Sequence, residues 1–502
     1  RDVNPNIVLN QLYKHTQLQD TFGVIMLALV NNEPVVMNLL QMLQYYLKHQ
    51  EEVVTRRTQY DLNNAEKRAH IVEGLLIALD NIDEVIQLIR SSKTAAEAKE
   101  KLMSLYNLDE QAVDTQVKRY QKLADAFAEV YPVDNASFFS SSGRIEIIGN
   151  HTDHQLGRIV AASIDMDTIA IVTPNADGKI HVKSLEYDEF TIDVNDLAVK
   201  EDDSRTVKLI KGILERFVQN GRKIGGFTTF MTTTVLSAAG VSSSASFEML
   251  ICAILNDLYN NNEISTLECA KAGQWAENNK WDKKSGLLDQ LACATGGMIT
   301  IDFANYENPE VVKLDSKVIQ DKYDFFITPT GEDHSALDGE YTAITVEMKA
   351  ISQFFGKEYL KDVSMDDIMA NLPALREKAG DRAVLRAIHF ITETERVRKL
   401  AAEVKEHDYT NFEKAVTDSG LSSWRFLQNC ATPDPKHQGI ALFLAMNEIY
   451  FQNHKGVCRV HGGGFAGSIL SVIPKEESPA FRAFLKDVLK NEYYEIHMRD
   501  AG

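Results

Sequence analysis

The sequence predicts an α+β fold that follows an all-helical N-terminal segment. Between Pro34 and Pro132 it contains no proline and a single glycine, Gly74, while apolar residues recur at helical spacing. This pattern predicts long helices for residues 1–104. Further along, strand-like runs alternate with helix-like runs and then give way to a mostly helical block. Strands and helices that are partly segregated along the chain are typical of α+β proteins.

The elements of the α+β part can be placed from hydrophobic periodicity and from turn residues. Residues 105–131 predict a helical lead-in. Strands are predicted at 143–149, 158–172, 178–183, 226–232, 298–303 and 324–328. Helices are predicted at 205–219, 244–259, 265–279, 338–355, 365–375 and 381–406.

The composition is that of a soluble globular protein with an acidic balance. Of 502 residues, 44% are apolar and 25% are charged, and the formal net charge is −19. Such a charge argues against a nonspecific nucleic-acid surface. No signal peptide or membrane-spanning run is seen, and the cysteines have no metal-binding spacing. We therefore expect a cytoplasmic protein whose thiols are reduced. The cysteines are Cys252, Cys269, Cys293, Cys430 and Cys458.

The segment Ser141–Gly157, SSGRIEIIGNHTDHQLG, is the first that combines a buried strand with several polar groups. Three isoleucines predict the strand, and Gly149 ends it. The polar residues that follow are Asn150, His151, Asp153 and His154. Their spacing favours a cleft that binds a sugar, although a strand with a polar hairpin is the alternative.

Two later segments carry glycine and serine motifs. Val235–Asn260 is a small-residue loop that runs into an amphipathic helix, and Val460–Pro474 is a glycine-rich turn followed by an apolar strand. Together with the first segment they resemble the three signature motifs of the galactose, homoserine, mevalonate and phosphomevalonate (GHMP) kinase superfamily. The run GRIEIIGNHTDHQLG most resembles the galactokinase family.

This resemblance implies a two-lobed GHMP-kinase fold, with a ribosomal S5-like lobe at 105–305 and a ferredoxin-like lobe at 306–502. It also implies that the protein uses ATP and Mg²⁺ to convert galactose into α-D-galactose 1-phosphate and ADP. The glycine-rich turn at Gly462–Gly467 is expected to pack against the loop Ala239–Ala245 of the second motif, which we call the phosphate loop. A galactokinase-like sensor that binds sugar without turnover is an alternative. A missing serine and alanine in the second motif would favour the sensor, but Ser243, Ser244 and Ala245 are present.

The second motif is expected to bind the nucleotide phosphates. It precedes a helix, so backbone N–H groups and the helix dipole can face an anion. Val235 and Ala239 stand where the family usually has proline and glycine, and a serine-rich helix cap is the alternative. The resemblance assigns Mg²⁺ to Ser244 and Glu277, although Glu277 could instead be a solvated surface charge. The nucleotide-binding residues are Ala239, Gly240, Val241, Ser242, Ser243, Ser244 and Ala245.

The segment KSGLLDQ resembles the family segment in which an aspartate follows a glycine and two apolar residues, and this resemblance makes Asp289 the candidate catalytic base. It lies in KSGLLDQ among apolar residues, where a carboxylate needs a cationic partner, and Arg144 is the expected one. Asp289 would orient or deprotonate the anomeric hydroxyl, while Arg144 would stabilise the transferred phosphoryl group. A buried ion pair without a catalytic role is the alternative.

The remaining sugar contacts come from the resemblance alone. The substrate-binding residues implied are Arg144, Asn150, His151, Asp153, Gly286, Asp289 and Tyr341. Galactokinases carry a glutamate that contacts the C6 hydroxyl where Asn150 stands, and a tyrosine where His154 stands. An amide can still bond a hydroxyl, but the lost charge also favours a C6 carboxylate, so galacturonate is a second candidate. Asn150→Glu is accordingly expected to shift preference towards galactose, and His154 could simply be a loop residue.

The N-terminal segment resembles a different family. NIVLNQLYKHTQLQDTFGVIMLALVNNEP and the helical run that follows are similar to the A subunit of DNA gyrase, where the tower domain leads into the long coiled coil. The chain therefore resembles a fusion, with a gyrase-like part at 1–104. Its tyrosines do not sit in the DNA-cleaving motif, so no catalytic role is expected for them. We interpret the segment as a remnant and expect no DNA binding. The alternative is that its long helices self-associate or dock to gyrase.

Overall fold

The computed structural model of the protein describes residues 4–20, 23, 25, 27–30, 33–50, 110–131, 136–185, 189–237, 239–281, 285–332 and 337–500. The chain divides into two compact units. The described residues of the smaller unit lie within 4–50 and 110–112, and those of the larger unit lie within 113–500. The helices predicted between residues 51 and 104 lie outside the described residues.

The smaller unit combines helices with a β-hairpin. Helix α1 (Pro5–His15) begins after Asn4, whose side chain accepts a hydrogen bond from the Asn6 N–H at 3.0 Å. Strands β1 (Leu27–Val30) and β2 (Glu33–Val36) pair in antiparallel register, and residues 39–50 are helical. The expectation of an all-helical segment is therefore wrong at 27–36. Two asparagines separate the valine-rich strands in the sequence, which is a hairpin signal that helical periodicity overlooks.

The described part of the larger unit begins at residue 113, within helix α2 (Glu110–Ala128), and continues into a seven-stranded sheet. The strand order is β6-β5-β7-β4-β8-β9, and β3 pairs with β4. All neighbours are antiparallel except β5 and β7. The strands are β3 (Ser137–Ile148), β4 (Arg158–Pro174), β5 (Lys179–Ser184), β6 (Phe190–Asp193), β7 (Phe227–Thr233), β8 (Met298–Asp302) and β9 (Glu310–Leu314).

The two faces of this sheet are covered by different helices. On β4, Ala170 and Val172 pack in the core beneath the helices on one face, while Ile169 and Ile171 contact α2 on the other. This alternation follows from the period of two in a strand. The helices of the first face are α3 (Arg205–Gln219), α4 (Ser243–Asn260), α5 (Thr266–Lys280) and α6 (Leu288–Thr295).

A second sheet has four antiparallel strands in the described residues, in the order β11-β12-β10-β13. One hydrophobic cluster contains Ile145 and Val160 of the first sheet together with Phe325 and Leu470 of the second, so the two sheets share a core. Its strands are β10 (Tyr323–Pro329), β11 (Val457–His461), β12 (Ser468–Pro474) and β13 (Tyr494–Ile496). The helices of this part are α7 (Lys317–Lys322), α8 (Asp338–Phe354), α9 (Met365–Ala379), α10 (Asp381–Lys405), α11 (Phe412–Ser422), α12 (Gly439–Tyr450) and α13 (Ser478–Ala483).

Each strand and helix predicted for the larger unit is present among the described residues, and the bounds agree to within four residues except that β3 begins at Ser137 rather than at 143. The short strands β6, β9, β11 and β13 were not predicted, because three to five residues carry too little alternation. The lobe division at 305 and 306 stays a prediction, but β9, at residues assigned to the second lobe, belongs to the first sheet. In the described part of the chain, no helix is both long and apolar enough to cross a membrane.

Candidate active site

The loop before α4 leaves backbone N–H groups available for an anion. Ser242, the residue before the helix, has a left-handed backbone with φ 61°, and its side chain makes no capping bond. The first intrahelical bond joins the Ser246 N–H to the Ser242 carbonyl. The N–H groups of Ser243 and Ala245 therefore lie in the first turn, where a helix offers them no carbonyl acceptor of its own. A serine does stand at the N-cap, as the alternative expects, but its side chain does not cap the helix, and the geometry suits a phosphate.

Arg144 and Asp289 form the ion pair that the sequence predicted. Both Nε and Nη2 of Arg144 bond to Oδ1 of Asp289, at 3.0 and 2.6 Å. Burial alone would lower the pKa of the Arg144 guanidinium, but Asp289, Cys293 and Glu146 together outweigh burial and the pKa is raised. Arg144 is nearly buried, whereas 24% of the Asp289 side chain is exposed. Arg144 is therefore held as a cation, and part of the Asp289 side chain is accessible.

The same arginine connects this pair to the phosphate loop. Its Nη1 donates to the Gly240 carbonyl, and its backbone N–H donates to the Val241 carbonyl at 3.1 Å. Arg144 lies on β3 and Asp289 lies in the first turn of α6. One side chain thus fixes the distance between the phosphate loop and the candidate base.

Asp153 is a second carboxylate beside the pair. It is packed against Gly286 so closely that any Cβ at position 286 would overlap the Asp153 carboxylate. Burial, and then the charges of Asp289 and Glu146, raise the pKa of Asp153 to about 7. Backbone N–H groups of His154 and Leu288 oppose this by bonding to the carboxylate. Asp153 can therefore be ionised or protonated near neutral pH.

The predicted sugar contacts Asn150, His151 and Tyr341 meet at Gly462–Gly464, which we call the glycine turn. The Asn150 Nδ2 donates to the Gly462 carbonyl at 2.8 Å, and the Tyr341 hydroxyl donates to the Gly464 carbonyl at 2.8 Å. The His151 Nε2 lies 2.9 Å from the Gly463 carbonyl. The carbonyls of three successive glycines are thus bonded to side chains that were predicted to bind the sugar.

The glycine turn also packs against the phosphate loop, as the sequence predicted. The Ser468 hydroxyl, just beyond the turn, donates to the Ala239 carbonyl at 2.6 Å. Gly240 and Gly462 have positive φ angles of 72° and 68°, and a Cβ on Gly462 would lie 3.5 Å from the Gly240 Cα. Glycine at both positions permits this approach.

His154 lies in the same region but contacts no polar group of the described residues through its ring nitrogens. Burial, and then the neighbouring His151 and His389, lower the pKa of His154 to about 3. Its ring centroid is 6.0 Å from that of His151. The side chain is therefore a neutral imidazole, and whether it contacts a sugar stays a prediction.

Glu277 is buried, so the surface-charge alternative is wrong. Its Oε1 accepts from the Ser244 hydroxyl at 3.0 Å, and its Oε2 accepts from Ser285 at 2.5 Å. Two hard oxygen donors at this separation fit Mg²⁺, which takes few protein ligands when phosphates supply the others. Among the described residues, no three histidine, cysteine or acidic side chains form a metal cluster.

Several buried polar residues around the site were not predicted from the sequence. The Gln290 Nε2 bonds to Glu277 at 3.2 Å and to the buried Glu248 at 2.9 Å. Arg459, also buried, bonds to Glu146 at 3.1 Å. A charged residue inside an apolar stretch, such as Glu248 in SFEMLICAIL, was the available signal. Its partner lies more than forty positions away, and no local pattern identifies it.

The N-terminal part is similar to DNA gyrase. The family model for the A subunit of DNA gyrase and topoisomerase IV matches residues 1–130. The A subunit of DNA gyrase from Clostridium acetobutylicum is 66% identical over 110 residues, which are 22% of this chain and 13% of that protein. Its counterpart from Deinococcus deserti is 59% identical over 110 residues, or 22% of this chain and 14% of that protein. The chain thus spans only about an eighth of the length of these relatives.

The larger unit is similar to kinases. The model "Galactokinase galactose-binding signature" matches residues 125–174, and "GHMP kinases N terminal domain" matches 208–297. A galactokinase of Lactococcus lactis complexed with galactose superposes with a TM-score of 0.66 and 24% identity, over 76% of this chain and 99% of that one. The mevalonate kinase of Methanococcus jannaschii superposes with a TM-score of 0.51 and 14% sequence identity, over 73% of this chain and 99% of that one.

These matches agree with the geometry around the Arg144–Asp289 pair and with the two-sheet architecture. The galactose-binding signature covers β3 and Asp153, and the GHMP domain covers the phosphate loop, Glu277 and Asp289. The chain therefore joins a segment similar to the A subunit of DNA gyrase to a GHMP-kinase fold that carries the galactokinase galactose-binding signature.

Proposed function

We propose that the protein is an ATP-dependent sugar 1-kinase and that galactose is its substrate. The observation that carries this proposal is the Arg144–Asp289 pair, which is bonded to the phosphate loop at Gly240 and neighbours Asp153. The two kinase family matches support a sugar kinase, and the galactose-binding signature supports galactose. The free thiols of the five cysteines, all of them among the described residues, fit the cytoplasm.

In this reaction the anomeric oxygen attacks the γ-phosphorus, the bond from that phosphorus to the bridging oxygen breaks, and ADP leaves. Asp289 orients the anomeric hydroxyl and receives its proton. Arg144 faces the charge that develops on the transferred group, and its bond to Asp289 keeps this carboxylate ionised. The N–H groups of the Ala239–Ala245 loop bind the phosphates of ATP.

Ser244 and Glu277 are the residues that would hold Mg²⁺. The ion supplies positive charge that neutralises the phosphate oxygens. Ser285 and Gln290 bond to Glu277 and fix the orientation of its carboxylate before any ligand binds.

The sugar-binding contacts are proposed for Asp153, His151, Gly286 and Tyr341. The ionised Asp153 accepts hydrogen bonds from two neighbouring hydroxyls, and Gly286 leaves the room that its carboxylate needs. Tyr341 is held by the Gly464 carbonyl and His151 by the Gly463 carbonyl, so both side chains are oriented before sugar binds.

The test is ADP release by the intact protein with ATP, Mg²⁺ and one sugar at a time. The panel is galactose, glucose, N-acetylgalactosamine, arabinose and galacturonate. We expect turnover with galactose. Turnover with galacturonate alone would favour the uronic-acid alternative. If no ADP is released with any of the five sugars, while sugar and ATP still bind, the sensor alternative would be favoured.

For the gyrase-like segment we propose self-association and no DNA cleavage. Apolar side chains of α1 are exposed, including Ile7 and Leu12, which are 58% and 42% accessible. Light scattering of the intact protein over a range of concentrations is the test. A monomer at every concentration would contradict self-association.

A further inference from the structure

Asn150 has no polar side-chain atom left for a sugar. It is 1% exposed. Its Nδ2 donates to Glu146 Oε1 at 2.9 Å and to the Gly462 carbonyl at 2.8 Å. Its Oδ1 accepts from the Asn429 Nδ2 at 2.8 Å and from the Ser423 hydroxyl at 3.4 Å. The capacity of the amide is taken by protein groups, so a sugar hydroxyl could bond to it only by displacing one of them.

The partners of Asn150 are themselves fixed. Glu146 also bonds to Arg459, and both side chains are buried. Arg459 further donates to the Ile147 carbonyl at 2.8 Å. Rotating the Asn150 amide would remove one donor from the buried Glu146 carboxylate and one from the buried Gly462 carbonyl, and would turn the amide oxygen towards both acceptors, which is costly.

Asn429 holds the glycine turn from the other side. Its Nδ2 donates to the Gly463 carbonyl at 3.1 Å as well as to Asn150. Its backbone carbonyl accepts from the Phe465 N–H. A Cβ on Gly464, whose φ is 83°, would overlap that carbonyl. Asn150 and Asn429 thus hold the turn to which His151 and Tyr341 bond.

We propose that Asn150 is a positioning residue: through Glu146 and Asn429 it fixes the glycine turn, and it does not contact the C6 group of the sugar. This rests on the proposed sugar-kinase function. It replaces the expectation that Asn150→Glu retunes C6 preference, because a carboxylate at this position would face Glu146 and the Gly462 carbonyl. That variant instead loses activity towards every sugar.

The first test compares galactose with 6-deoxygalactose in Asn150→Asp, which keeps the shape of the side chain but loses both donors. We expect kcat/KM to fall about 10- to 100-fold for both sugars, since displaced groups reduce turnover regardless of C6. The ratio between the sugars should stay within about twofold. A selective loss for galactose of about tenfold or more would overturn the proposal, because it would show a direct bond to the C6 hydroxyl.

Amide hydrogen exchange gives a second readout that needs no activity. We expect faster exchange at residues 462–467 in Asn150→Asp and in Asn429→Ser. The matched control is Asn256→Asp, because the Asn256 amide also bonds to a loop, at Ile264, but lies elsewhere in the fold. Unchanged exchange at 462–467 in both network variants would overturn the proposal.

The two readouts separate the inference from the function on which it rests. If the unaltered protein phosphorylates no sugar, the proposed function fails, but hydrogen exchange still tests the positioning role. If Asn150→Asp does not fold, Asn429→Ser carries both tests, because it removes the shorter of the two hydrogen bonds to Asn150 Oδ1 and leaves Asn150 in place.

Discussion

The phosphate side of the candidate site and the glycine turn are built in different ways. On the phosphate side, Arg144 is bonded to the loop while 24% of the Asp289 side chain stays exposed. At the turn, the Asn150 amide is buried and bonded only to protein groups. The comparison teaches that residues of one signature motif can divide into those that meet substrate and those that hold the site in shape.

Asp289→Asn is expected to have the largest effect. An amide cannot receive the anomeric proton, so kcat should fall by at least about 10³-fold, while ATP affinity changes little. Steady-state ADP release and ATP titration measure the two quantities. Asp302→Asn is the matched control, since it breaks an Asp–Arg pair with Arg158 at 2.5 Å. Near-normal turnover in Asp289→Asn would remove Asp289 from the mechanism.

Glu277→Gln is expected to have the second largest effect. Removing the negative charge weakens the proposed Mg²⁺ site, so the Mg²⁺ concentration for half-maximal rate should rise by at least about tenfold. Glu268→Gln is the control, because Glu268 lies on the same helix and pairs with Arg222. An unchanged Mg²⁺ requirement in Glu277→Gln would contradict the assignment.

Gly286→Ala should affect sugar binding and leave ATP binding unchanged. The added methyl overlaps the Asp153 carboxylate, so that carboxylate has to move, and KM for sugar should rise about tenfold or more. ATP affinity should be retained. Gly339→Ala is the control, because a Cβ there meets no atom within 4 Å. Equal KM values for the variant and the unaltered protein would place the sugar away from Asp153.

The smallest expected effect concerns Asp153 and pH. Its pKa in the folded protein is raised to about 7, above its usual value of 3.8, so the folded state prefers the protonated form. Stability is therefore lost as pH rises from about 4 through about 7. Asp153→Asn, which carries no charge, should raise Tm at pH 8 and change it much less at pH 4.

Thermal unfolding at the two pH values checks this prediction. Asp196→Asn is the control, because the pKa of Asp196 is lowered by its bond to Lys200 and its contribution has the opposite sign. A stabilisation by Asp153→Asn that is equal at pH 4 and pH 8 would contradict a raised pKa.

Much of the fold could be predicted because its long elements have clear periods. The 17-residue strand β4 and the helices α3 and α4 carry enough alternating or helical positions to be placed to within two residues. The strands β6 and β13 have four and three residues, too few to show alternation, and β13 pairs with β10, which lies far earlier in the sequence. The hairpin at 27–36 was overlooked because the prediction relied on helical spacing and not on the two asparagines that separate its strands.

The candidate site shows the same limit. Arg144 and Asp289 could be paired from sequence because a carboxylate among leucines needs a cation. The burial of Glu277 and the hydrogen bonds of Asn150 could not be predicted. The local sequence around a charged helix residue or a loop amide is the same whether the side chain faces solvent or protein. Asn150 and Asn429 are 279 positions apart, and only the packed fold brings them together.

The measurement that tests the account most directly is phosphorus NMR of the reaction products. The intact protein is incubated with ATP, Mg²⁺ and galactose, and the new phosphorus resonance is compared with authentic α-galactose 1-phosphate. The account predicts that this resonance grows as ADP forms, and that Asp289→Asn abolishes it. ADP release without a phosphorylated sugar, or equal product from Asp289→Asn, would contradict it.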